Sequence, residues 1–165
     1  MPTRSWWIAL VLALGVPVAG TAAEPNDQAP PLPALKLVPR DAVGFFRIPS
    51  VQTLERNLKR FADETGFKVA QGESPVMRTL EARTNISEGL DRARPVVVAW
   101  LNPKVYRNRY TLYILPVADW DRLLAATLAQ DIGDGLYALT GPEMMGQRTV
   151  LRRGDYAVVT SSIRT

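Results

Sequence analysis

The stretch Pro95-Val96-Val97-Val98-Ala99-Trp100-Leu101 is almost entirely apolar and predicts a β-strand. Valine is β-branched and favours extended backbone, and an apolar run without polar alternation is typical of a strand covered on both faces. A second such run, Tyr110 to Val117, follows after a short polar connection. The short connection predicts that the two strands are antiparallel partners in one sheet.

A helix is predicted upstream of this pair, between Ser50 and Gly66. Ser50 is a favourable N-cap and Gly66 a favourable C-terminal stop. Charged side chains, among them Glu55, occupy the remaining faces of this helix and are expected to be solvated. The apolar stripe has spacings of three and four residues and consists of Val51, Leu54, Leu58, Phe61 and Ala62.

Two further helices are predicted by their start signals. Ser74-Pro75 combines a capping serine with a proline in the first turn, and Thr84-Asn85 weakens the helix that begins there. Asp119 precedes the third helix, where an acidic residue interacts favourably with the helix dipole. The apolar stripe of the third helix consists of Trp120, Leu123, Leu124, Thr127 and Leu128.

Short strand patterns complete the chain: Ala42 to Ile48, Leu136 to Thr140, Arg148 to Arg152 and Tyr156 to Thr160. The order is one strand, two helices, two strands, one helix and three strands. This order predicts the α+β class, with a ferredoxin-like βαββαβ core that has its helices on one face of an antiparallel sheet. A C-terminal β-meander is expected to extend that core.

The first 23 residues have the pattern of a secretory signal peptide. Arg4 supplies a positive start, the run from Trp6 to Val18 is apolar, and small residues end the segment. Cleavage is predicted after Ala23, with Ala22 as the alternative. A retained anchor is disfavoured because the apolar run is shorter than the roughly 20 residues of a membrane-spanning helix. The chain is therefore expected to be exported to the periplasm or the extracellular space.

Residues 24–36 follow as a proline-rich segment, which favours an extended spacer. A single α+β domain is predicted over residues 37–165. The last residues form an apolar strand followed by Ser161-Ser162, a helix-start signal with only three residues after it. That ending suggests the N-terminal part of a longer protein.

Composition limits the chemistry of the chain. It has 165 residues without any His or Cys, so the commonest general base, the commonest metal ligands and all disulfides are missing. No metal or cofactor is expected, and neither a G-x-S-x-G nor an S-x-x-K signature is present. The formal net charge of +4 is modest. Nucleic-acid binding is not expected, because it needs clustered cations with stacking aromatic side chains.

One connection and three carboxylates are the candidate functional residues. The connection between the two strong strands is basic and contains the candidate contact residues Lys104, Tyr106, Arg107 and Arg109, for which a solvated hairpin loop is expected. Asp41, Asp119 and Asp121, together with Lys104, are the candidates for a hydrolytic site. Capping is the preferred explanation for Asp119 and Asp121.

Three motifs carry a resemblance to a known group of proteins: Pro39-Arg40-Asp41-Ala42, Gly89-Leu90-Asp91-Arg92-Ala93-Arg94-Pro95 and Pro116-Val117-Ala118-Asp119. Over residues 37–160 the chain resembles exported bacterial proteins of unknown function, of the kind abundant in planctomycete-like genomes. The group shares the patterns P-x-D-A, G-L-D-x-x-R-P and P-V-x-D. The resemblance implies export and supplies no catalytic residues.

These observations favour an exported, non-enzymatic module that binds a protein or a cell-envelope component. Two alternatives stay open at this point. One is an extracytoplasmic hydrolase with a carboxylate-based site, and the other is a periplasmic small-ligand binder. No membrane span is expected after signal cleavage, and the sequence leaves the oligomeric state open.

Overall fold

A computed structural model describes residues 33–67, 74–106, 111–139 and 148–161. The predicted signal peptide, most of the spacer and the last four residues lie outside this described part.

The described residues form one seven-stranded sheet in which every neighbouring pair of strands is antiparallel. In spatial order the strands are β1, β2, β3, β7, β6, β5 and β4. Their bounds are Gly44–Ile48 (β1), Val96–Trp100 (β2), Thr111–Pro116 (β3), Gln130–Gly133 (β4), Leu136–Leu139 (β5), Arg148–Arg153 (β6) and Tyr156–Ser161 (β7).

Four α-helices accompany the sheet in the described residues, together with a 3-10 helix over Pro33–Leu37. Two of the predicted N-caps are confirmed. The Ser50 hydroxyl accepts a hydrogen bond from the Thr53 amide at 3.0 Å, and the Ser74 hydroxyl accepts one from the Met77 amide at 3.0 Å. The helix bounds are Val51–Thr65 (α1), Pro75–Thr84 (α2), Pro103–Tyr106 (α3) and Trp120–Ala126 (α4).

The α+β class is confirmed, whereas the ferredoxin-like core is not. That core places the third strand between the first two, but here β1 pairs directly with β2, from Gly44 opposite Trp100 to Ile48 opposite Val96. The connection between the strands explains the difference. A single helix would return the chain to the end of the sheet where β1 starts, and β2 would then run parallel to β1. Here α1 and α2 together return the chain to the end of the sheet where β1 stops, so β2 runs antiparallel to β1.

The main hydrophobic core lies on the sheet face covered by α1, α2 and α4, the helix face. Every second side chain of a strand points into this core, because successive side chains of a strand lie on opposite faces of the sheet. Its fully buried members come from both layers, which shows that the helices and sheet share one core. The core includes Val51, Leu80, Ile86, Val96, Leu115, Leu123, Val150 and Val159.

The opposite face of β2 and β3 is also covered. Val97, Ala99 and Ile114 pack there with Ala34 of the 3-10 helix, which is 1% exposed. The prediction that β2 is buried on both faces is confirmed. The packed domain therefore begins before residue 37, because the last residues of the proline-rich segment fold against the sheet.

Glu55 is partly buried and paired, whereas the sequence pattern predicts a solvated surface charge. Its carboxylate accepts hydrogen bonds from the Arg92 guanidinium at 2.6 Å and from the hydroxyl of Ser74. The Gln52 amide also donates to the Arg92 carbonyl at 3.1 Å. These bonds join α1, the start of α2 and the segment that leads into β2.

Strand β4 was not predicted from the sequence. All four of its residues are exposed, so the pattern contains no buried face that alternation could reveal. Just before it, Leu128 lies beyond the end of α4 with a φ of 49° and is 74% exposed. The predicted stripe of that helix therefore extends two residues too far.

Candidate functional site

The predicted contact loop between β2 and β3 contains a helical turn. Asn102 directly precedes α3: its side chain accepts a hydrogen bond from the Lys104 amide at 3.0 Å, and its carbonyl accepts one from the Tyr106 amide at 2.9 Å. Lys104 is exposed, as expected for a contact residue. Arg107 and Arg109 lie outside the described residues.

Tyr106 anchors this turn instead of presenting a free side chain. Its ring packs against the cluster on the opposite face, and its hydroxyl donates to Asp41 Oδ1 at 3.0 Å. This hydrogen bond raises the pKa of the Tyr106 phenol. Asp41 belongs to the turn before β1, where the Ala42 amide donates to the Pro39 carbonyl at 3.1 Å. The bond therefore joins two loops at the end of the sheet where β2 ends.

Three exposed cations and two exposed valines lie in the segments that pack together at this junction. Lys36, Arg40 and Lys104 are exposed, and no ion pair involves them within the described part of the chain. Val43 is 67% exposed and Val105 is 60% exposed. We call these five residues the basic loop surface. Asp41 is the acidic residue in the segments that carry this surface, and its carboxylate already accepts a hydrogen bond from the Tyr106 hydroxyl.

The carboxylate candidates do not form one site. Asp41 precedes β1 near Trp100, whereas Asp119 and Asp121 follow the far end of β3. The length of β3 alone is about 17 Å at the usual rise per residue. Paired glycosidase carboxylates are only about 5 to 9.5 Å apart. Asp41 cannot therefore act together with Asp119 or Asp121 in such a pair.

Asp119 has the capping role that its position predicted. Its side chain accepts from the Arg122 amide at 3.0 Å, and it has the extended backbone of an N-cap residue. Asp121 lies in the first turn of α4.

We expect Asp119→Ala to lower the free energy of unfolding by about 1 kcal/mol, because the helix loses its cap. Asp121→Ala is the matched control, and it should lower that free energy by no more than about 0.5 kcal/mol because it removes only a charge near the helix dipole. Urea denaturation of both variants measures the difference. Equal effects would contradict the capping role.

Two of the sequence motifs meet in the structure. The Gly89 carbonyl accepts from the Ala118 amide at 2.9 Å and from the Asp119 amide at 3.1 Å, and the Asp91 amide donates to the Pro116 carbonyl at 2.9 Å. The G-L-D segment is thereby fixed against the start of α4. These contacts give the G-L-D and P-V-x-D patterns a structural role and leave no need for a catalytic one.

A buried basic group was missed from the sequence. Arg148 is 6% exposed and donates from Nη2 to the Ala82 carbonyl at 2.8 Å. Burial lowers the pKa of this guanidinium, and burial also raises the pKa of the nearby Tyr113 phenol. The sequence pattern could have indicated this burial. Arg148 lies two residues before Val150, whose side chain points into the main core, so strand alternation places Arg148 on the helix face as well.

Neither a metal site nor a membrane span is found in the described part of the chain. Among those residues, no group of three or more His, Cys, Asp or Glu side chains is arranged to hold a metal ion. No helix within residues 33–67, 74–106, 111–139 and 148–161 is long and apolar enough to cross a membrane.

Comparison of the chain with protein-family models, with curated proteins and with solved structures found no match.

Proposed function

We propose that this chain is an exported, non-enzymatic module that binds the anionic surface of a membrane in the cell envelope. The signal-peptide pattern and the resemblance to exported bacterial proteins support export. The basic loop surface supports binding, and it is the observation that carries the proposal.

The composition of that surface favours a membrane over a soluble anion. Lys36, Arg40 and Lys104 have no acidic partner among the described residues and are therefore available to lipid phosphates. Each basic residue near an anionic bilayer contributes about 1 kcal/mol to binding. Val43 and Val105 gain nothing from a soluble anion, but the boundary between headgroups and acyl chains can bury them.

The alternative functions lack a comparable observation. A hydrolase based on a carboxylate pair would need Asp41 beside a second carboxylate. The length of β3 separates Asp41 from Asp119 and Asp121. Neither a hydrolase nor a small-ligand binder accounts for the exposed valines among the cations.

The proposal is tested by flotation of the chain with vesicles. We expect binding to vesicles of phosphatidylglycerol and phosphatidylcholine, weaker binding at high salt, and none to phosphatidylcholine alone. The double variant Arg40→Glu/Lys104→Glu should bind at least about 30-fold more weakly, because two favourable charge interactions are lost and reversed.

Arg56→Glu/Lys59→Glu is the matched control, since both residues are exposed on α1 and the change in net charge is identical. This control should lower binding much less. Equal losses in the two double variants would show that net charge alone drives binding. Absence of binding by the unmodified chain, or binding to a protein partner instead, would overturn the membrane proposal.

A further inference from the structure

The two edges of the sheet differ in how open they are to another strand. β4 is interrupted by a bulge between Asp131 and Gly133, and the Asp131 carboxylate accepts from the Gly133 amide at 2.7 Å. Bulges of this kind hinder pairing with a further strand. β1 forms the other edge and keeps a regular register with β2 over all five of its residues.

The outer edge of β1 has a defined set of backbone groups. The Val117 amide donates to the Asp155 carbonyl at 2.8 Å, so the backbone groups of odd residues in β3 point toward β7 and those of even residues point toward β2. The registers of β2 with β3 and with β1 then direct the backbone groups of Gly44, Phe46 and Ile48 toward β2. Because orientation alternates along a strand, the amides and carbonyls of Phe45 and Arg47 point away from the sheet. Within the described residues, no hydrogen bond is formed on that side.

The side chains of β1 have a symmetric pattern about Phe46. On the face away from the main helices, Phe45 is 51% exposed and Arg47 is exposed. On the helix face, the Phe46 ring lies 5.4 Å from the ring of Trp100, which is itself 43% exposed.

We propose that β1 pairs with β1 of a second copy of this chain, antiparallel and centred on Phe46. The outward backbone groups of Phe45 then bond to those of Arg47 in the second copy, and Phe46 lies opposite Phe46 of the second copy in a pair without backbone hydrogen bonds. This register places Phe45 of each copy opposite Arg47 of the other, where a guanidinium over an aromatic ring is favourable. The two sheets become one continuous sheet.

The choice of a second copy rests on this self-complementarity. An unrelated strand need not supply an arginine at one position and an aromatic ring two residues away, whereas the chain supplies both to itself. Five paired residues per copy form an interface at the small end of the known range, so the dimer should be weak and dependent on concentration. The three cations of the basic loop surface lie outside the paired strand.

Sedimentation of the full chain over a range of concentrations tests the dimer. The unmodified chain should double its mass as concentration rises. Phe45→Lys should weaken the dimer at least about 30-fold, because a lysine then lies opposite Arg47 at two symmetric positions. Phe45→Glu should preserve the dimer, because its carboxylate lies opposite that same arginine.

Ile132→Lys on β4 is the matched control, because Ile132 is 55% exposed on the opposite edge of the sheet. This variant should dimerise like the unmodified chain. The dimer proposal fails if the unmodified chain stays monomeric at every concentration, or if Phe45→Lys and Ile132→Lys behave alike.

The register has a separate test, because the chain contains no Cys. A mixture of Phe45→Cys and Arg47→Cys chains should form a disulfide-linked dimer under mild oxidation, and neither variant should do so alone. Positions 45 and 47 of the two copies lie directly opposite each other with their Cα atoms about 5.5 Å apart, which is within the range that a disulfide spans. Crosslinking within a single preparation of either variant would contradict this register.

Discussion

Gly89→Ala is expected to lower the free energy of unfolding by about 2–5 kcal/mol. Gly89 has a φ of 77°, a left-handed conformation that costs a residue with a Cβ about 1–2 kcal/mol. An added Cβ would lie 2.4 Å from the Asp119 carbonyl oxygen and 2.7 Å from Leu123 Cβ. Relieving that overlap requires movement of backbone, which adds about 1–3 kcal/mol. Urea denaturation measures the loss.

Gly66→Ala is the matched control for this variant. Gly66 has a similar φ of 70°, but an added Cβ would meet nothing within 4 Å. The control should therefore lose only the conformational part, about 1–2 kcal/mol. If the two alanine variants were equally stable, the close approach of the G-L-D segment to α4 would be wrong.

Leu123→Ala is expected to lower the free energy of unfolding by about 2–5 kcal/mol. Leu123 is 0% exposed and lies in the main core on α4, so its removal leaves a cavity that the surrounding elements fill only in part. Thermal and urea denaturation of the variant measure this loss.

Leu128→Ala provides the comparison, because the sequence periodicity places both leucines on the same helical stripe. Leu128 is 74% exposed, and its truncation should change the free energy of unfolding by no more than about 0.5 kcal/mol. A large loss in Leu128→Ala would show that α4 continues beyond Ala126.

Local signals predicted most of the elements correctly. The N-caps at Ser50, Ser74 and Asp119 could be predicted from the sequence, because a capping side chain accepts a hydrogen bond from an amide only two or three residues away. Strand β2 could be predicted because burial on both faces requires an unbroken run of apolar residues. β4 was missed for the opposite reason, since its residues are all exposed.

The candidate site was less predictable than the fold. Lys104 was identified as an exposed basic residue, but Tyr106 proved to be an anchor because its partner, Asp41, is far away in the sequence. The contribution of Lys36, Arg40 and Val43 was not predicted. Their proximity to α3 depends on how the 3-10 helix and the turn before β1 pack on the sheet.

By itself, the sequence determined the α+β class, three of the helix starts and the strands of the main core, because each depends on interactions between residues close in the chain. Only the tertiary structure decided the order of the strands, the burial of Arg148 and the meeting of Gly89 with α4. These features depend on contacts between distant segments, whose energies no local pattern encodes. The same distinction separates the two edges of the sheet: the composition of β1 was visible, but its place at an open edge was not.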